Sequence, residues 1–277
     1  MLSSSRVNCR AVRRAVFRGR VGETKGLRVR PWDRFLTDSD RDIFDRSGFG
    51  GSVGFGARPV LLVVDINYNF CGEYRLPLRE SVDRWPSSCG PQAWDAVERT
   101  KTLLAAARAA AMPVFFSSGF REGSTFFDRG RWNDKSPRSR EHQANPRGND
   151  IVDALAPLSH EIVVRKGRPS AFFGTMLASY LVDLGADTLV VCGTTTSGCV
   201  RATVTDAFSL NYRVVVVEEC TFDRGEASHA MSLFDLHQKY ADVRSLADTV
   251  AHFAGLSRDL YANTLLGGEM AAGSDRG

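Results

Sequence analysis

Pro59-Val-Leu-Leu-Val-Val-Asp65 is an unbroken apolar run that ends on an acid. A short run rich in branched side chains has the pattern of a strand buried on both faces, as the strands of parallel sheets are. The segments beyond it decide the fold. Residues 91–111 carry Ala93, Val97, Leu104, Ala107 and Ala111 at helical spacing. Pro113 to Ser118 is a second strand, Glu161 to Arg165 a third, Thr188 to Cys192 a fourth and Arg213 to Val217 a fifth. Between them, a helix over 174–184 turns Leu177, Leu181 and Leu184 inward, and one over 198–210 aligns Val200, Val204, Ala207 and Phe208. Helices over 227–239 and 246–253 close the series. This alternation predicts an α/β fold, a three-layer doubly wound sandwich with a mostly parallel central sheet.

Outside that body the composition changes. Residues 1–30 hold nine basic side chains against one acid, Glu23, so the formal charge of +4 over 277 residues comes from this segment and the rest is mildly acidic. The segment reads as a basic, disordered extension; its Arg- and Ser-rich, acid-poor composition also fits an organelle-targeting segment or an upstream start codon. Residues 31–58 include five glycines between Gly48 and Gly56, too many for a regular element, and read as an arm over the domain surface. Residues 119–150 are polar and too long for a plain connection, which suggests a lid or binding loop. The main domain spans 59–254, and 255–277 reads as a Gly-rich tail.

Apolar residues at 43% and charged residues at 25% are ordinary for a globular protein and exclude wholesale disorder, collagen and a coiled coil. No apolar window is long enough for a membrane span. The body lacks a basic stripe, so the charge does not point to nucleic acid. Six cysteines spread over this length do not make a disulfide framework, and no CxxC pair suggests zinc. A reducing, cytoplasmic setting is the expectation.

In open parallel sheets the ligand site lies beyond the carboxyl ends of the strands. The first strand ends at Asp65, the third runs into Arg165-Lys166, and the fourth runs into Gly-Thr-Thr-Thr-Ser-Gly-Cys199, which opens a helix. An acid, an amine and a thiol are thus expected at one rim. A helix N-terminus and a nearby ammonium both favour a thiolate. Asp65 would take the thiol proton and return it to a leaving amine, and backbone N–H groups between Gly193 and Gly198 would hold an oxyanion. Each residue alone has a plainer reading: a strand-end aspartate caps turns, a lysine is solvated, and a cysteine serves as a small buried hydrophobe. The joint placement favours acyl transfer through a thioester. Cys192 reads as core, Cys71 as a candidate pocket wall, and Cys89 and Cys9 as incidental.

Longer strings carry a resemblance. They are Leu62-Val-Val-Asp65-Ile-Asn, Arg165-Lys166-Gly-Arg-Pro-Ser-Ala-Phe-Phe-Gly-Thr175, Gly193-Thr-Thr-Thr-Ser-Gly-Cys199-Val-Arg-Ala-Thr203 and Phe222-Asp-Arg224, with matches continuing from His229 to Asp242. Over about residues 44–253 the chain resembles the cysteine hydrolases of the isochorismatase-like superfamily, most closely the N-carbamoylsarcosine amidohydrolase and maleamate amidohydrolase branch. The resemblance implies Asp65, Lys166 and Cys199 as a catalytic triad. It also implies a cis peptide between Thr194 and Thr195 that aims the Thr195 amide, with that of Cys199, at the substrate carbonyl oxygen. Arg224 falls where the carbamoylsarcosine enzyme binds a substrate carboxylate, with a surface ion pair to Asp223 or Glu226 as the other reading. Asn67 is expected as a further substrate contact, and Phe172 and Phe173 either wall the pocket or pack in the core.

Nicotinamidases of this superfamily place an Asp/His/His metal site after the second strand. Here Ser117-Ser-Gly-Phe-Arg-Glu holds no histidine, and His142 and His160 lie far along, so no metal and no cofactor are expected. Isochorismatase chemistry itself does not use a cysteine nucleophile. The resemblance therefore implies a hydrolase of carbon–nitrogen bonds in a small linear amide or N-carbamoyl compound, carboxylate-bearing and releasing ammonia, in a homodimer or homotetramer. An uncharged ureide such as biuret, or a non-catalytic flavodoxin-like binding module, are the alternatives.

Overall fold

Five buried strands read from the sequence all form, and a sixth joins them. The computed structural model describes residues 29–120, 130–135 and 145–268. Nearly all of the basic extension with Cys9, much of the 119–150 loop with His142, and the end of the C-terminal segment lie outside the described residues. The chain runs α1 (Asp38–Ser47), β1 (Pro59–Val64), the single turn α2 (Tyr68–Cys71), α3 (Leu78–Arg84), α4 (Pro91–Ala109), β2 (Val114–Ser118), α5 (Trp132–Lys135) and β3 (Ile162–Arg165). It continues through α6 (Leu177–Asp183), β4 (Thr188–Thr194), α7 (Arg201–Ser209), β5 (Arg213–Phe222), α8 (Glu226–Lys239), β6 (Asp242–Arg244) and α9 (Leu246–Ala254).

The strands make one parallel sheet in the order β3-β2-β1-β4-β5-β6. Val60 to Val64 are all at 0% exposure, consistent with a central strand covered on both faces. Burying each such side chain is worth about 1.5–3 kcal/mol. Right-handed crossovers put α4, which leads from β1 to β2, and α7, which leads from β4 to β5 in the opposite direction, on opposite faces. Accordingly α9 packs on α4, and α8 packs on α7. The chain reverses its progress across the sheet between β1 and β4, and such a switch point opens a crevice beyond the strand ends.

Several expectations change in detail. The expected helix over 198–210 is two pieces, a wide turn over Thr196–Val200 followed by α7. β5 continues past Val217 to Phe222, because a register shift in its pairing with β4 between Val191 and Gly193 lets both strands run on to the rim. The arm is not irregular throughout. Thr37 caps α1 through a reciprocal pair with Asp40, and Gly48 ends the helix at φ +71°. The arm lies down where Asp242 accepts hydrogen bonds from Ser52 Oγ (2.6 Å) and the Gly54 amide (2.8 Å). Phe44 of α1 meets Phe234 edge-on at 4.8 Å between ring centres. Part of the segment read as a tail also docks: Tyr261 is buried, donates to the Pro59 carbonyl (2.9 Å) and lies under the Arg58 guanidinium. Among the described residues no helix is long and apolar enough to cross a membrane.

Candidate active site

Parallel pairing sets three strand ends in line. The Asp65 amide donates to the Ser117 carbonyl (3.0 Å), and the Lys166 amide to the Ser118 carbonyl (3.0 Å). Asp65 leaves the strand at φ +52°, a left-handed conformation that aspartate tolerates better than most residues but that still stores strain. Its carbonyl accepts from the Asn67 amide (2.8 Å), which closes a tight turn immediately after β1.

Lys166 joins the group. Its Nζ lies 2.7 Å from Asp65 Oδ2 and 3.4 Å from Cys199 Sγ, and it also donates to the Arg168 carbonyl at 3.2 Å. An ammonium has three protons, and these three acceptors take them all. Ser117 Oγ donates to the other carboxylate oxygen, Asp65 Oδ1, at 2.9 Å. A buried ion pair survives desolvation only with such added hydrogen bonds, and both side chains here are about 5% exposed or less.

Cys199 arrives from the other side of the switch point. Gly193, paired with Val64 in the sheet, sits at φ +109°, and a Cβ there would run into the Val64 carbonyl oxygen. The next peptide, Thr194–Thr195, is cis. The Thr195 carbonyl accepts from both the Gly198 amide (2.9 Å) and the Val200 amide (3.1 Å), which makes the wide turn that carries the cysteine. The Thr195 amide itself meets no acceptor among the described residues. Cys199 is half-buried, whereas Cys71, Cys89, Cys192 and Cys220 are buried.

The protonation states correct one expectation. By sequence, a helix N-terminus and an ammonium favour a thiolate. Instead, burial, with the Asp65 carboxylate adding to it, pushes the Cys199 thiol up to about 12 against the opposing pull of Lys166. Burial also works against the Lys166 charge, but Asp65 and the Cys199 sulfur outweigh it and hold the ammonium above its ordinary range. The resting arrangement is a neutral thiol beside an Asp65–Lys166 ion pair. Lys166 bridges the two, with Asp65 Oδ2 at 2.7 Å and Cys199 Sγ at 3.4 Å from its Nζ, so the carboxylate stands close to the thiol as a proton acceptor.

Residues 59–248 match the isochorismatase domain family. The chain belongs to the isochorismatase family. It is 36% identical over 211 residues to a maleamate amidohydrolase of Pseudomonas putida, covering 75% of this chain and 93% of that protein. It is 31% identical over 223 residues to an N-carbamoylsarcosine amidase of an Arthrobacter species, covering 79% and 80%. Its fold is similar to that of a cysteine hydrolase from Pseudomonas syringae pv. phaseolicola, with a TM-score of 0.62 at 24% identity over 72% of this chain and 93% of that one.

The remaining candidate residues of this isochorismatase-family chain lie at different depths. Asn67 is buried and committed. Its Oδ1 accepts from the Phe70 amide as the cap of α2, and its Nδ2 donates to Ser118 Oγ at 2.9 Å. That assigns its side chain to bracing the turn after Asp65. The two phenylalanines part company: Phe172 is buried and stacks with Tyr212 at 6.2 Å, while Phe173 is 66% exposed. Arg224 reaches back from the end of β5 so that Nη2 donates to the Ser87 carbonyl (2.6 Å), with Nη1 at 4.0 Å from Asp223 Oδ1. Its Nε is buried with no partner among the described residues.

Two features escaped the sequence. Cys89 is buried with its sulfur 3.6 Å from Thr194 Oγ1, and burial pushes its thiol to about 11 although the nearby Arg224 charge pulls it down. It therefore ties the Thr194 side chain to the Arg224 neighbourhood. Asp223 holds the nucleophile turn. Its Oδ2 accepts from both the Ser197 amide (2.9 Å) and Ser197 Oγ (2.7 Å), and its Oδ1 from the Arg224 amide (2.8 Å). Beside it, Thr196 Oγ1 meets His229 Nδ1 at 2.7 Å, with burial holding that imidazole below its ordinary range despite Asp223. The Phe222-Asp-Arg224 string was legible, but the partner of its aspartate lies on a different strand's turn.

Proposed function

We propose that this protein is a cysteine-dependent amidohydrolase that cleaves the C–N bond of a small linear amide or N-carbamoyl compound bearing a carboxylate. The observation that carries the reading is Lys166 Nζ held between Asp65 Oδ2 and Cys199 Sγ. As Sγ bonds to the substrate carbonyl carbon, Asp65 takes the thiol proton. The carbonyl becomes an oxyanion facing the Thr195 and Cys199 amides. Asp65 then gives its proton to the nitrogen, the C–N bond breaks, and ammonia leaves a thioester on Cys199. Water then reacts by the reverse logic. Asp65 takes a proton from it as it adds to the thioester carbon, and the C–S bond breaks with the proton returned to sulfur. Lys166 stays an ammonium throughout and keeps Asp65 in place while charge passes to and from the sulfur.

Arg224 supports a carboxylate on the substrate. Its side chain is 38% exposed while Nη2 is anchored on the Ser87 carbonyl, so the open edge of the guanidinium offers an acid group charge-assisted hydrogen bonds. Both curated relatives carry names that denote amide hydrolysis, which agrees with a C–N bond as the target. The test is ammonia release over a panel of carbamoyl acids, maleamate, ureidoacrylate and biuret, with Cys199→Ala beside the wild type. The wild type is expected to release ammonia from an acid of this panel and the variant to release none. Release by Cys199→Ala at the wild-type rate overturns the reading.

A further inference from the structure

Ser117 stands at the end of β2, wholly buried and in register with Val64, one residue before the aspartate. It grips Asp65 twice. Its carbonyl accepts the Asp65 amide (3.0 Å), and its hydroxyl donates to Asp65 Oδ1 (2.9 Å). The other carboxylate oxygen is taken by Lys166 (2.7 Å). A carboxylate held by one oxygen alone can still rotate about its Cβ–Cγ bond, whereas a donor on each oxygen fixes its plane. In the proposed reaction Asp65 carries a proton once in each half-reaction, from sulfur to nitrogen and then from water to sulfur, so the direction of its free lone pairs decides whether transfer is in line.

We propose that Ser117 is a positioning residue of this hydrolase, whose hydroxyl sets the plane of the Asp65 carboxylate. The inference rests on the triad reading given above. The charged and titratable groups facing Asp65 are Lys166, from the end of β3, and Cys199, from the turn after β4. Ser117 adds a neutral donor from β2.

The experiment compares wild type, Ser117→Ala and Ser118→Ala. Ser118 is the control because its hydroxyl serves Asn67 and the Asn149 carbonyl on the same strand end and does not touch Asp65. Two readouts are taken: kcat and KM for ammonia release, and the rate at which iodoacetamide alkylates Cys199, followed by mass spectrometry of the intact protein. Ser117→Ala is expected to lose about tenfold in kcat with KM little changed, and to slow the alkylation of Cys199 by about the same factor. Ser118→Ala is expected to keep its alkylation rate within about twofold of wild type, whatever it does to stability. Wild-type kcat and alkylation rate in Ser117→Ala, or an equal loss in both variants, overturn the proposal while leaving the triad standing. A Cys199 that iodoacetamide modifies no faster than the fully buried thiols overturns the triad reading and this proposal with it.

Discussion

Neutralising the Asp65–Lys166 pair one side at a time, and then together, separates its structural from its chemical role. Lys166→Met leaves a carboxylate that is 3% exposed without its ammonium, and Asp65→Asn leaves an ammonium that is 5% exposed without its carboxylate. Removing one partner of a buried pair costs about 3–5 kcal/mol. For a domain of this size each kcal/mol lowers Tm by about 2–4 °C, so each single variant is expected to melt roughly 6–20 °C below wild type. The double variant buries no charge at this place and is expected to recover most of that loss. Activity obeys a different rule. Asp65→Asn removes the proton carrier and is expected to lose about 10²–10⁴ in kcat, and the double variant regains none of it. The pH dependence has a definite sign. Lys166 is raised in the folded state, so its contribution to stability is complete below the ordinary lysine range and fades only as pH rises through the raised value. The melting differences are therefore expected to be constant across the neutral range. Calorimetry or thermal denaturation by circular dichroism gives Tm, and coupled ammonia detection gives kcat. Single variants as stable as wild type, or a double variant that recovers activity along with stability, refute the reasoning.

The geometry carries three further expected outcomes. Arg224→Ala is expected to raise KM about tenfold or more for an acid substrate and to do little for a neutral ureide such as biuret; steady-state kinetics on both decides it, and equal effects remove Arg224 from substrate binding. Because the Cys199 thiol is pushed up to about 12, the free protein is expected to show no thiolate absorbance step near 240 nm between about pH 6 and 9; a step that Cys199→Ala abolishes contradicts the neutral resting thiol. Asp223→Ala frees the Ser197 amide and hydroxyl and is expected to lower kcat by about tenfold or more, with Asp223→Asn recovering part of it because its amide oxygen still accepts from Ser197; kcat values in the order wild type, Asn, Ala bear this out, and indistinguishable variants contradict it.

The buried strands were legible because an apolar run such as Val60 to Val64 has one reading in a parallel sheet, and strand ends then indicate where chemistry gathers. Asp65, Lys166 and Cys199 were found by that rule, and the structure brings them into contact. Other features left weak or nonlocal signals. β6 is only Asp242-Val-Arg244, too short for a period and half polar. α1 buries none of its residues fully, so it has no apolar stripe, and only Thr37, Asp40 and Gly48 mark its ends. Tyr261 lies in a segment without a clear period that reads as a tail, although its hydroxyl anchors the start of β1. The thiol's protonation state depended on burial and on the distance to Asp65, neither of which sequence spacing contains. Ser117, Cys89 and Asp223 act across strands or turns far apart in the chain, and no local pattern announces such pairs.

The central claim is that Cys199 carries the acyl group. Rapid acid quench during turnover of an accepted amide, with peptide mass spectrometry of the quenched protein, is its most direct measurement. The expected result is an adduct of the substrate's acyl mass on the peptide holding Cys199, formed with ammonia and lost with the acid product. Turnover that leaves Cys199 unmodified at every quench time, or an adduct on another residue, would contradict it.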